Sequence, residues 1–128
     1  MAEVEHEILI ERDPDEVWKV VGDFGGLGDW MPGIESVTVD GDKRTIGMFG
    51  ISVVEQLRTR DDATRTLAYS VVEIPVPIES HLATLTVHPA DGGSRVTWAA
   101  VVTPDDALAV FDDVYKSSLA ELKAYVER

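Results

Sequence analysis

Residues 3–11, EVEHEILIE, alternate acidic and apolar positions. A period of two marks a strand with one face in a core, here carrying Val4, His6, Ile8 and Ile10. The next stretch changes period. In DPDE at 13–16, Asp13 fits a helix N-cap, Pro14 the first helical position and Glu16 the closing position of a capping box. Val17, Val20, Val21 and Phe24 follow at helical spacing, and the glycines from 25 end the helix. Six further strands are then punctuated by turn chemistry: DGDK at 40–43, Gly50, DDAT at 61–64, PVP at 75–77 and DGG at 91–93. From TPDD at 103–106 the pattern turns helical again. Thr103 is the expected N-cap, Pro104 opens the helix, and Leu108, Phe111, Val114, Tyr115, Leu119, Leu122 and Val126 form an apolar stripe. About 24 residues at 1.5 Å each make a helix of roughly 36 Å, which needs a large sheet to hide that stripe. No repeat or linker divides the chain, so a single domain over 1–128 is expected.

Sorting the strands by parity gives the faces expected to meet the helix. They are Arg44, Ile46, Met48; Val53, Glu55, Leu57; Leu67, Tyr69, Val71; His81, Ala83, Leu85, Val87; and Val96, Trp98, Ala100, Val102. Gln56, Arg58 and Arg60 then face water. Residues 34–40 show no clear alternation. Four polar groups, Arg44, Glu55, Tyr69 and His81, thus enter an apolar interior. An unpaired charge there costs several kcal/mol. Counting outward from Gly50 sets Arg44 opposite or diagonal to Glu55, so an ion pair between them is expected. His6, near the strand start, is expected to be solvated.

Composition narrows the chemistry. Twenty-four acidic residues against 11 basic ones give a net charge near -13, which repels nucleic acid and anionic lipid surfaces. The absence of cysteine excludes disulfides, thiolate nucleophiles and zinc–cysteine sites. MAEVEHEILIERD has no basic segment followed by an apolar run, and nothing approaches the ~20 apolar residues of a membrane span, so a cytoplasmic location without membrane insertion is expected. GGLGDWMPG at 25–33 invites a phosphate-loop reading. It follows a helix instead of preceding one, lacks the lysine and is flanked by Asp23 and Asp29. A cap with Trp30 and Met31 over the core fits better, with Met31 and Pro32 at a mouth. No nucleophile elbow, zincin motif, calcium loop or Rossmann fingerprint occurs. The expected cofactors are none, and the expected metals are none.

PDEVWKVVGDFGGLGDWMPGIESV resembles the opening of the START/Bet v 1-like (SRPBCC) superfamily, in its polyketide cyclase/dehydrase-like branch. Arg44, VVEQL at 53–57, RTLAYSVVE with Tyr69, Pro77 and GGSRVTW ending at Trp98 extend the likeness over nearly the whole chain. The resemblance implies an α+β helix-grip fold: a curved seven-stranded antiparallel sheet around a long C-terminal helix, with two short helices between strands 1 and 2 and a cavity inside.

Three readings follow from that cavity. In the first, it binds a small hydrophobic molecule, lipid-like or polyketide-like, oriented by Arg44, Glu55, Tyr69 and His81 and walled by Trp98, Phe111, Tyr115 and Trp30. Arg44 would meet a ligand carboxylate or enolate. In the second, a polyketide cyclase, aromatase or dehydratase shuttles protons through His81, Glu55 or Tyr69 with no metal or nucleotide. His81 is then the better carrier, because Arg44 opposes a raised Glu55 pKa. In the third, large aromatics fill the interior. Each polar residue also has a structural reading: Arg44–Glu55 shaping the sheet, Tyr69 as a core aromatic and His81 as a satisfied core histidine. A monomer or homodimer is expected.

Overall fold

The alternating segments pair into one antiparallel sheet. In the computed structural model, which describes residues 2–128 apart from the side chain of Val110, the strands are β1 (Ala2–Ile10), β2 (Ile34–Asp40), β3 (Lys43–Met48), β4 (Ile51–Asp61), β5 (Thr66–Glu73), β6 (Ser80–Ala90) and β7 (Gly93–Thr103). Their order is β1-β7-β6-β5-β4-β3-β2. Helix α1 (Pro14–Val21) and a 3-10 turn (Leu27–Asp29) lie between β1 and β2. Helix α2 (Leu108–Val126) closes the chain. Short hairpins link the later strands because the turn residues suit them. Asp40 pairs with Lys43, Met48 with Ile51 and Ala90 with Gly93, each across two residues.

At α1, Asp13 caps as expected, its carboxylate accepting from the Asp15 N–H at 3.1 Å, with Pro14 next. Glu16 closes no capping box; it faces Arg12 one turn back at 3.6 Å. The last helix is shorter than its pattern. Pairing with Ser80 keeps Thr103 in β7, its carbonyl accepting from the Glu79 N–H at 2.7 Å, so Thr103 is no N-cap. A 3-10 turn at Asp105–Ala107 intervenes, and α2 has 19 residues.

The inner face is as the parity sorting has it through β3, β5, β6 and β7. One core joins it to α1, the Leu27–Trp30 segment and the stripe of α2. Arg60 departs from the pattern. Leu57 pairs with Tyr69 but Thr59 with Ala68, so Arg58 is an extra residue on β4. That bulge turns Arg60 from the water side toward α1, where its Nε donates to the Gly22 carbonyl at 2.7 Å. Another bulge, between Ile34 and Ser36, explains the missing alternation of β2. Beyond it Val37 and Val39 stand opposite Ile46 and Arg44 on the inner face. Among the described residues, no helix is long and apolar enough to cross a membrane.

Candidate functional site

Between β3–β5, the Leu27–Met31 segment and α2 lies a hollow of about 190 Å³. Its wall is mostly apolar, with Leu27, Met31, Ile46 and Val53 among its members. Phe49 and Ile51 form the rim. Phe49 is 69% exposed, and its ring covers Gly33 so closely that a Cβ there would sit 2.2 Å from it. Only glycine fits that contact, and its φ of +80° also suits glycine. The β3–β4 hairpin tip is thus seated on the glycine loop at the mouth.

The charged groups of the wall are Arg44 and Glu55. They stand directly opposite on β3 and β4, as register counting expects. Arg44 Nε and Nη2 reach one oxygen, Glu55 Oε1, at 2.8 and 2.7 Å. Nη1 donates to the Phe24 carbonyl at 2.8 Å, and the guanidinium lies 4.2 Å over the Phe24 ring and 5.0 Å from that of Tyr69. The glycine segment therefore begins by capping a buried cation, the opposite of a phosphate cradle. Burial pushes the Glu55 carboxyl above its ordinary range, and Arg44 offsets part of that rise.

Aromatic groups make the other polar edge. Trp98 Nε1 donates to Tyr69 Oη at 3.2 Å, and the Trp98 and Tyr115 rings stack with centroids 4.2 Å apart. Burial raises the pKa of both tyrosines. His81 Nδ1 accepts the Val71 N–H at 3.0 Å, and Nε2 lies 3.0 Å from Tyr115 Oη. Burial lowers the His81 pKa to about 4.

Six of the eight residues singled out by sequence line the hollow: Arg44, Glu55, Tyr69, Trp98, Phe111 and Tyr115. The other two stand behind the wall. His81 sits 4.7 Å from the Phe111 ring, and Trp30 packs edge-on against Trp98 at 6.2 Å. Trp30 is core, and Pro32 is exposed, so Met31 alone of that group reaches the wall. His6 is not simply solvated. It is half-buried, with Nε2 2.7 Å from Asp112 of α2, which joins the edge strand to the helix. Sequence reasoning missed Leu27 and Phe49. Gly50 was legible as a turn, but a turn does not say which surface its neighbours touch. Among the described residues, no three histidines or carboxylates gather as a metal would require.

The sequence profile of the family described as "Polyketide cyclase / dehydrase and lipid transport" matches residues 1–127. No curated protein matches the chain. The solved structure of the protein XoxI from Bacillus cereus is similar: 28% identity over 97% of this chain and 94% of that one, with a TM-score of 0.90. The di-domain ARO/CYC BexL from the BE-7585A biosynthetic pathway is 22% identical over 99% of this chain and 47% of its own, with a TM-score of 0.84. Ara h 8.0201 is 17% identical over 98% of this chain and 97% of its own, with a TM-score of 0.78. At such identities the last two likenesses concern the fold alone, which is the helix-grip arrangement of curved sheet and C-terminal helix.

Proposed function

The chain belongs to the polyketide cyclase/dehydrase and lipid transport family, and from that membership we propose that it binds a neutral, ring-sized apolar molecule in the hollow between sheet and α2. The observation that carries this reading is an apolar hollow of about 190 Å³ whose two charged groups neutralise each other. An apolar cavity of roughly 150 Å³ is enough to take up benzene. Arg44 already holds Glu55 with two nitrogens and the Phe24 carbonyl with a third, so a ligand carboxylate would have to displace a closed pair. A neutral polar end beside Tyr69 and Glu55 fits better. The protein would act in the cytoplasm, as monomer or homodimer.

Cyclisation or dehydration draws less support. His81 stands off the wall with both nitrogens occupied, and burial keeps it neutral near pH 7. Glu55 is committed to Arg44. The volume supports a second reading more strongly, a core too full for cargo, because ligand pockets usually exceed about 300 Å³.

Titration with ethylbenzene, followed by NMR, separates these readings. Saturable shifts at Ile46, Val53 and Tyr115 are expected for the wild type. Val53→Phe, which fills the hollow, is expected to abolish them while changing stability by no more than about 1–3 kcal/mol. Absence of saturable shifts in the wild type would leave the filled-core reading standing.

A further inference from the structure

Donors and acceptors at the polar end of the hollow can be counted, because some groups there act in only one direction. The Val71 N–H can only donate, and it points at His81 Nδ1. A neutral His81 therefore carries its hydrogen on Nε2 and donates it to Tyr115 Oη. The Trp98 Nε1–H likewise can only donate, into Tyr69 Oη. Each phenol oxygen thus receives a hydrogen from nitrogen and keeps its own to give. Among the described residues, no hydrogen bond has the Tyr69 hydroxyl as its donor, and Tyr69 lines the hollow.

We propose that Tyr69 presents a hydrogen-bond donor to the hollow, its oxygen held by the Trp98 N–H. The site then selects neutral ring-sized ligands bearing an acceptor, such as a ketone oxygen, over hydrocarbons of the same shape. The inference rests on the hollow being a ligand site.

Acetophenone and ethylbenzene test it, since they differ chiefly by one carbonyl oxygen. Affinities are measured by titration for the wild type and Tyr69→Phe, and the infrared carbonyl stretch of bound acetophenone is recorded. Tyr69→Phe is expected to weaken acetophenone roughly threefold to tenfold, the worth of one net hydrogen bond, and to leave ethylbenzene unchanged. The carbonyl stretch is expected at lowered frequency in the wild type and unlowered in Tyr69→Phe. A frequency reports hydrogen bonding directly, so a purely structural role for this hydroxyl would not move it. Acetophenone binding with an unlowered wild-type stretch overturns the inference and leaves the ligand site intact. Failure of the wild type to bind either probe overturns both the inference and the site it rests on.

Discussion

A buried imidazole that accepts a backbone N–H must stay neutral, since a proton on Nδ1 would set two donors against each other. Burial acts in the same direction and brings the His81 pKa down from 6.5 to about 4. The unfolded chain therefore binds the extra proton first. As pH falls from 6.5 toward 4, His81 withdraws about 3 kcal/mol of stability, at about 1.4 kcal/mol for each pKa unit, and restores it as pH rises. Glu55, whose pKa is raised, contributes with the opposite sign, so a bulk unfolding curve blends the two. NMR of the ring nitrogens reads His81 alone. The Nε2–H tautomer is expected to persist from pH 7 to about pH 5, and a midpoint near 6.5 would rule out the bonded, buried ring. His81's inward face was legible in the alternation of β6. Its bond to Val71 was not, because neighbouring strands meet only after register is set.

A bulge does at the scale of an element what no residue type announces. Arg58 is neither glycine nor proline, yet as the extra residue on β4 it hands Arg60 to the other face. There Arg60 bonds the Gly22 carbonyl at the end of α1, lies 5.8 Å from the Trp18 ring and pairs with Asp62 at 3.5 Å. Trp18 Nε1 donates to the same Asp62 at 2.9 Å. A cation at a helix C-terminus also complements the dipole. Arg60→Gln is expected to cost about 1 kcal/mol in urea unfolding. Arg95→Gln, whose partner Glu7 is exposed at 3.5 Å, is expected to stay within about 0.5 kcal/mol. Equal effects would mean that Arg60 does not tether α1. The strands and hairpins were readable because period and turn residues are local signals. The start of α2 was misread for the complementary reason: Thr103 and Pro104 look like a helix opening, but pairing with Ser80 holds Thr103 in the sheet.

For the whole molecule, the hollow is a small difference between large packed volumes, so no local pattern states that about 190 Å³ remains. Charge, in contrast, is fully legible and has a global consequence. With 24 acidic and 11 basic residues, carboxylates outnumber their possible partners by more than two to one. Surface pairs such as Arg65–Asp15 at 2.9 Å and Arg12–Glu16 at 3.6 Å contribute at most about 1 kcal/mol each, and salt weakens them. The same salt screens repulsion among the excess carboxylates, including Glu3, Glu5 and Glu7 along the outer side of edge strand β1. Alternate residues there stand about 7 Å apart, inside the roughly 10 Å screening length at 0.1 M salt and beyond the roughly 3 Å length at 1 M. Repulsion therefore wins the balance, because it involves every unpaired carboxylate while attraction involves a few pairs. The melting temperature at pH 7 is expected to rise by about 2–5 °C between 10 mM and 0.5 M sodium chloride, the equivalent of roughly 1 kcal/mol. A falling melting temperature would mean that the surface ion pairs outweigh the net charge. The acidic row on β1 makes a linked expectation: screening it should also loosen the bar against edge-to-edge pairing, so self-association measured by sedimentation should grow with salt and not shrink.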